Sequence, residues 1–242
     1  MNLRPLLTLL LGFGSAAAAA AVTPGFDGLV LPFKEVVVAA PVQSTIEHIA
    51  FKEGDRVKAG ETLAQLYSRI EELDMLRAKS ALEKREFDFK GSKNLFDAKV
   101  ISEDEALKNK IELDLARLQY EQATEVFRQR TIVAPIDGLI VEKLREVGES
   151  VTATQPMFRL VDISQVYVQF YLRVEDLPRV QIGASVQVAC RLGGEKTRTF
   201  TGMVDFIDPR VDAASGLLRV KVLVDNANNV IKPGLRADVT LP

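Results

Sequence analysis

Residue types that commonly carry out catalysis or bind transition metals are scarce in this chain of 242 residues, which has one Cys and one His. Cys190 lies in an alternating apolar segment, and His48 lies in a short predicted strand. Such a composition cannot supply a Cys/His zinc site, and a catalytic triad would depend on His48 alone. We therefore expect a buried thiol at Cys190 and a surface imidazole at His48.

A second group with possible chemistry is acidic, and consists of Asp205, Asp208 and Asp212. Carboxylates are the ligands that calcium prefers. These three, however, flank a strand end and the turn at Pro209 instead of lying within one ligand loop. The sequence therefore predicts no metal site, no bound cofactor and no catalytic residue, so the chain is not expected to be an enzyme.

The strongest pattern in the sequence is an internal repeat. Residues 40–54 read APVQSTIEHIAFKEG and residues 134–148 read APIDGLIVEKLREVG, and the similarity continues to residues 66 and 160 at a constant shift of 94. Each copy has short β-forming runs separated by turns at glycines such as Gly54 and Gly148. Neither copy can bury both faces of its strands alone. We expect the two copies to pack together as one flattened β-sandwich.

The N-terminus and the overall charge bear on location and partners. Arg4, an apolar run over residues 6–13 and the alanines of residues 16–21 are typical of a cleaved secretory signal peptide. No Cys follows the apolar run, so no lipid anchor is expected. The formal net charge of −2 gives no general attraction to nucleic acid. We predict an exported, periplasmic protein that does not bind nucleic acid.

Between the two copies, residues 68–130 contain no Pro and a single Gly, which favours helix. Ser102 and Glu105 form a predicted capping box, which begins a second helix after a break near residues 98–101. Both helices carry the 3-4 spacing of a coiled coil, which is weaker in the first helix because Arg85 and Ser92 interrupt it. The two seams are Met75, Ala78, Leu82, Arg85, Phe89, Ser92 and Phe96 in the first, and Ala106, Asn109, Leu113, Ala116, Tyr120, Ala123 and Phe127 in the second. The short connection requires antiparallel helices, about 40–48 Å long.

After the second copy, short alternating strands and regular turns predict a small β-barrel. The predicted fold is therefore mainly β plus an α-helical hairpin: a split lipoyl-like β-sandwich with an inserted antiparallel coiled-coil hairpin, followed by a small β-barrel. Its parts are a signal peptide (1–21), a lead-in strand joining the barrel (22–35), a first lipoyl-like half (36–67), the hairpin (68–130), a second lipoyl-like half (131–161) and the barrel (162–242).

This order of parts resembles the membrane fusion proteins, the HlyD-like periplasmic adaptor subunits of tripartite efflux pumps. Three segments carry the resemblance, namely GDRVKAGETLAQL, TIVAPIDGLIVEKLREVGESV and IDPRVDAASGLLRVKVLVDNANNVIKPGLRADV. Lipoyl carriers attach their cofactor to a Lys on the turn between the halves, and here the hairpin replaces that turn. The resemblance also implies a minimal adaptor without the further membrane-proximal domain of many relatives.

The resemblance implies that the tip of the hairpin contacts an outer-membrane channel. Adaptors of this family often carry Arg, then Leu four residues later, then Ser seven further on. Leu95 and Ser102 match this pattern, whereas Gly91 stands at the Arg position with Lys90 beside it. The expected contact residues are Lys90, Gly91, Leu95, Val100, Ile101 and Ser102. Ser102 also has a purely structural explanation as a helix cap, and the apolar residues have one in local loop packing.

The expected function is that of a periplasmic adaptor linking an inner-membrane transporter to an outer-membrane channel for efflux of small molecules. A transporter of the resistance-nodulation-division type is favoured, because no membrane anchor is predicted. Self-association is expected, with a hexameric ring implied by the resemblance. The alternatives are an adaptor of an ABC or major-facilitator exporter, a free-standing periplasmic binding protein on the same scaffold, and a periplasmic enzyme that uses the barrel as its binding site.

Overall fold

The computed structural model describes residues 25–193 and 197–241. The predicted signal peptide, and with it the expectation about lipid attachment, lies outside the described residues. Two β domains and a pair of long helices follow one another along the chain. No helix in the described part of the chain is long and apolar enough to cross a membrane.

The first β domain is a sandwich of two four-stranded layers. One layer has the order β5-β4-β2-β7, and the other is the β1-β8-β6-β3 part of a larger sheet. Apolar side chains from both copies of the repeat fill the space between the layers, and Ile46, Leu63, Ile140 and Phe158 are almost fully buried. The strands are β1 (Phe26–Ala39), β2 (Ser44–Ile49), β3 (Arg56–Val57), β4 (Thr62–Leu66), β5 (Thr131–Val133), β6 (Gly138–Lys143), β7 (Ser150–Val151) and β8 (Pro156–Arg173).

The two copies of the repeat are related by a pseudo-two-fold axis, as their hydrogen bonds show. Gly54 N donates to the carbonyl of Ile140, and its counterpart Gly148 N donates to the carbonyl of Ile46, both at 2.9 Å. Likewise β3 pairs with β6 while β7 pairs with β2. Each of these bonds therefore has an equivalent in which every residue is shifted by 94 positions and the two copies exchange roles. This exchange means that each copy supplies the partner strands that the other lacks.

The arm, which we define as residues 69–128, consists of two helices that leave the sandwich between β4 and β5. Helix α1 spans Arg69–Asp97 and helix α2 spans Glu103–Arg128. The Ser102 hydroxyl accepts a hydrogen bond from Glu105 N at 3.2 Å, as the predicted cap requires. The reciprocal bond from the Glu105 side chain is not among the hydrogen bonds of the described residues. Half of the predicted capping box is therefore formed.

The helices contact each other in an antiparallel register. Asn109 donates from Nδ2 to the Ser92 hydroxyl at 3.2 Å, and Arg85 forms an ion pair with Glu112 at 2.6 Å. The most buried positions of the arm are Leu113, Ala116 and Ser92. Polar groups thus occupy several positions between the helices, and the apolar core of the arm is thin. Phe96, which the spacing placed in the seam, is 40% exposed.

The second β domain is a closed six-stranded barrel in the order β1-β12-β9-β10-β11-β8, with β8 pairing back to β1. Its additional strands are β9 (Ser185–Arg191), β10 (Thr197–Ile207), β11 (Leu217–Asp225) and β12 (Arg236–Thr240). Residues Val174–Arg179 form a short 3₁₀ helix between β8 and β9. The barrel interior is built from alternating residues such as Val168, Phe170, Val188 and Val222, none of them exposed.

Strands β1 and β8 run through both β domains, paired to each other along nearly their whole length. The predicted divisions at residues 35/36 and 161/162 therefore fall inside continuous strands. A register shift between Pro32 and Lys34 marks the passage from barrel to sandwich. On the other side of β8, the buried Asn226 donates to the carbonyls of Ile163 and Ile231. The bond to Ile163 holds the loop after β11 against β8, near the point where β8 passes from the sandwich to the barrel.

Candidate functional site

The free end of the arm is built by a tight connection between the helices. Lys99 adopts a left-handed conformation with φ of 59°, and Val100 N donates to the carbonyl of Leu95 at 2.8 Å. This geometry ends α1 in the way that a glycine or asparagine usually does. Ser102 then caps α2, so only a few residues separate the helices. The connection turns the last apolar residues of α1 outward.

Apolar side chains cluster at this end. Leu95 is 46% exposed, Phe96 is 40% exposed and Val100 is 68% exposed, while Ile101 is partly buried. The structure therefore brings the predicted residues of the connection together and adds Phe96. The Ser92–Asn109 bond sets the register of the two helices. One helical turn closer to the end of the arm, Phe96 of α1 therefore lies opposite Glu105 of α2. Glu105 is exposed, and Phe96 remains 40% exposed at this level.

Lys90 and Gly91 lie on α1, about one helical turn before Leu95, and both are exposed. A side chain added at Gly91 would meet no atom within 4 Å. No neighbour requires a glycine there, and the helical backbone conformation does not need one either. The departure from the family Arg at this position is therefore not caused by packing within the chain.

The residues considered above for catalysis or metal binding lie away from the end of the arm, and the aspartates among them form hydrogen bonds within the barrel domain. The Asp208 carboxylate accepts hydrogen bonds from Arg210 and Arg219, and the hydrogen bonds from Arg210 hold the pKa of Asp208 below its ordinary value. Asp212 accepts from Ser215 N and Oγ, and these bonds lower the pKa of Asp212. Within residues 25–193 and 197–241, no group of three or more His, Cys, Asp or Glu side chains is placed to hold a metal ion. His48 is exposed.

Cys190 lies inside the barrel and is fully buried. Burial raises the pKa of its thiol to about 11. Because the thiolate is the reactive form of cysteine, this side chain is unreactive at neutral pH in the folded protein. It packs as a small apolar residue among the valines of the barrel.

Two domain families match the chain, one after the other, between residue 34 and residue 242. The CzcB-like barrel-sandwich hybrid domain matches residues 34–162, and the CusB-like β-barrel domain matches residues 165–242. The chain belongs to the membrane fusion protein family. Members of this family include adaptor proteins of efflux systems.

Two curated relatives in this family come from different bacteria. The chain is 24% identical over 231 residues to the cobalt-zinc-cadmium resistance protein CzcB of Cupriavidus metallidurans, covering 86% of this chain and 44% of that protein. It is 24% identical over 234 residues to the multidrug resistance protein MdtE of Escherichia coli, covering 86% of this chain and 61% of that protein. The chain thus spans about half the length of these membrane fusion proteins.

The fold is shared with a solved structure. A MacA–MexA chimeric protein, which contains the Pseudomonas aeruginosa MexA α-hairpin domain, superposes with a TM-score of 0.78 at 20% identity. The match covers 89% of this chain and 79% of that one. The resemblance at this identity concerns the fold.

Proposed function

We propose that this membrane fusion protein is a periplasmic adaptor that joins an inner-membrane transporter to an outer-membrane channel for efflux of small molecules. A resistance-nodulation-division transporter is the favoured partner, since CusB-like barrel and CzcB-like sandwich domains make up the matched part of the chain. The observation that carries the proposal is a long arm with an apolar end, mounted on these two adaptor domains. The proposal includes export by the predicted signal peptide.

The contact with the channel is assigned to the end of the arm, at Lys90, Gly91, Leu95, Val100, Ile101 and Ser102. Leu95, Phe96 and Val100 present apolar surface to solvent with no domain beneath them. Exposed apolar clusters on soluble domains commonly mark interaction sites. Lys90 would supply the positive charge that the family Arg carries in relatives, one residue from its usual position.

Self-association is proposed through the sides of the arm. Helix α2 carries a second row of apolar residues, separate from the positions that contact α1. Each is 43–60% exposed in the single chain, and they are Leu107, Ile111, Leu115, Leu118 and Val126. A helix that is apolar on two faces is suited to contact two neighbours. We propose that arms of adjacent copies pack side by side in a ring of six, as a coiled-coil bundle.

The channel contact is tested by placing a photo-crosslinking residue at Leu95 or Val100 in cells. The matched control is Phe87, which is 78% exposed on α1 away from the end. We expect the end positions to capture an outer-membrane channel protein while position 87 does not. Capture from position 87 alone, or from none of the three in cells that export substrate, would refute docking at the end of the arm.

The self-association is tested with Leu115→Glu/Leu118→Glu, which places charges in the exposed row without disturbing the inner seam. Sedimentation of the mature chain should show a shift from oligomer to monomer. The control is Glu121→Gln, an exposed polar change on the same helix. An unchanged oligomer in the double variant would show that this row is not the interface.

A second candidate function is an adaptor for an ABC or major-facilitator exporter, and a third is a free-standing periplasmic binding protein. The same crosslinking experiment separates them when a photo-crosslinking residue is placed on the exposed barrel residue Ile182. Capture of a resistance-nodulation-division transporter supports the favoured partner, and capture of another exporter class supports the second candidate. Capture of no transporter at all, together with no channel at the arm, supports the third.

A further inference from the structure

One ion pair at the base of the arm differs from all others in the described part of the chain. Arg130, just after α2, pairs with Glu71 in the first turn of α1, and the two side chains are 16% and 17% exposed. In every other ion pair of the described residues, at least one partner is more than one-fifth exposed. The pair is thus shielded from water and salt, which makes its loss costly.

The same guanidinium reaches the sandwich. Arg130 Nη2 donates to Glu71, and Arg130 Nη1 donates to the backbone carbonyl of Gln43 at 3.1 Å. Gln43 lies in the loop between β1 and β2, in the first copy of the repeat. Arg130 Nε is shielded from solvent and has no hydrogen-bond partner among the described residues. The two terminal nitrogens therefore set the orientation of the group.

This arrangement adds a third attachment between the arm and the sandwich. The chain itself provides two, where it leaves β4 at residues 67–69 and where it returns to β5 at residues 129–131. Two points define an axis about which a rigid arm can still tilt. A further contact, from α1 through Glu71 and Arg130 to the carbonyl of Gln43, opposes that tilt. The remaining side-chain hydrogen bonds at the base join residues within one helix, such as Arg69 with Glu72, or residues outside the helices, such as Thr131 with Gln65.

We propose that the Glu71–Arg130–Gln43 contact, here called the base clamp, fixes the angle of the arm on the sandwich. Without the base clamp the arm keeps its helices and its attachment but samples a range of tilts. A fixed angle lets a movement of the β domains displace the far end of the arm instead of being absorbed at its base. This last consequence rests on the proposed adaptor function, whereas the fixed angle is a property of the isolated chain.

The test is a distance measurement by double electron–electron resonance on the mature chain. Spin labels are attached at Lys52→Cys on the sandwich and Lys84→Cys on α1, both of which are exposed positions. The native Cys190 is buried with its pKa raised to about 11, so it does not compete for the label. We expect a single narrow distance peak for the labelled parent, and loss of that narrow peak in Arg130→Gln and in Glu71→Gln.

The matched control is Arg128→Gln, which breaks the exposed pair of Arg128 with Glu125, whose side chains are 71% and 59% exposed. This pair joins α2 only to itself, so the narrow peak should persist. The exchange Glu71→Arg/Arg130→Glu restores opposite charges, but a carboxylate at position 130 cannot donate to the Gln43 carbonyl. The exchanged variant should therefore also lose the narrow peak.

A narrow peak in both Arg130→Gln and Glu71→Gln would overturn the base clamp. A narrow peak restored by the charge exchange would overturn the role of Gln43 and leave only the ion pair. If Arg130→Gln does not fold, Glu71→Gln decides, because it removes the charge of Glu71 and leaves Arg130 with its bond to the Gln43 carbonyl. None of these outcomes depends on a transporter or channel, so failure of the base clamp and failure of the adaptor proposal are separately visible.

Discussion

The barrel and the arm differ in how they bury their apolar side chains. The barrel closes six strands around side chains such as Phe170 and Val220, which are fully buried, and it needs no neighbour. The arm also has apolar residues, but Asn109, Ser92 and Arg85 lie between its helices while Leu115 and Leu118 face solvent. A domain that exposes its leucines and pairs its polar groups internally is suited to bury those leucines against other molecules.

The largest expected difference between the two regions concerns a buried aromatic residue. Phe170→Ala should lower the free energy of unfolding of the barrel by about 3–5 kcal/mol, because it removes a fully buried ring from a closed core. Phe87→Ala on the arm should change stability by less than about 0.5 kcal/mol, since that ring is 78% exposed. Urea unfolding followed by circular dichroism measures both. Equal losses would contradict the contrast between the barrel and the arm.

A smaller effect is expected at the cap of α2. Ser102→Ala should destabilise the arm by about 1 kcal/mol, because Glu105 N loses its acceptor, and leave the barrel unchanged. Ser102→Asp keeps the cap but replaces the hydroxyl. Hydrogen exchange at the start of α2 measures the cap, and substrate export measures function. Export lost in both variants supports a channel contact, whereas export retained in Ser102→Asp alone reduces Ser102 to a capping role.

Gly91 allows a comparable test at the other helix. Gly91→Ala should stabilise α1 by about 0.8–1 kcal/mol, because no atom lies within 4 Å of the added group and alanine favours helix. Gly91→Arg should stabilise α1 nearly as well and also strengthen crosslinking to a channel that accepts the family Arg. Thermal unfolding of the arm measures the first effect. Destabilisation by alanine would mean that the helix is strained at this position.

The smallest effect concerns pH and the barrel. Asp208 has a pKa held below its ordinary 3.8 by hydrogen bonds from Arg210, with Arg219 adding a further charge. A carboxyl group with a lowered folded-state pKa stabilises the protein above its unfolded-state pKa, and this contribution is lost as the pH falls through the folded-state value. The stability advantage of the natural chain over Asp208→Asn should therefore be full at neutral pH and shrink in acid. An advantage independent of pH would show that the ionised form is not responsible.

Much of the candidate site could be predicted from spacing. The 3-4 pattern predicts the two helices, and Ser102 with Glu105 predicts the start of α2. Both predictions depend on interactions between residues within one or two helical turns. Phe96 was placed in the seam because the pattern continues through it. Its exposure depends on which α2 residue stands at the same level, and that level is set by contacts such as Ser92 with Asn109.

The sequence by itself determined the exchange of strands in the sandwich. A repeat with a constant shift of 94 residues, each copy too small to bury its own faces, can satisfy its strands only through the other copy. Local periodicity also determined the helical character of residues 68–130, since backbone preferences act within a few residues.

Only the tertiary structure decided how these parts are joined. Strands β1 and β8 cross from barrel to sandwich without a break, because each finds pairing partners in both domains. Glu71 lies 59 positions before Arg130 and Gln43 lies 87 positions before it, and no local pattern links the three residues. They meet because the two copies close around the base of the arm. Contacts between distant residues depend on the completed fold, which is why the base clamp could not be read from spacing.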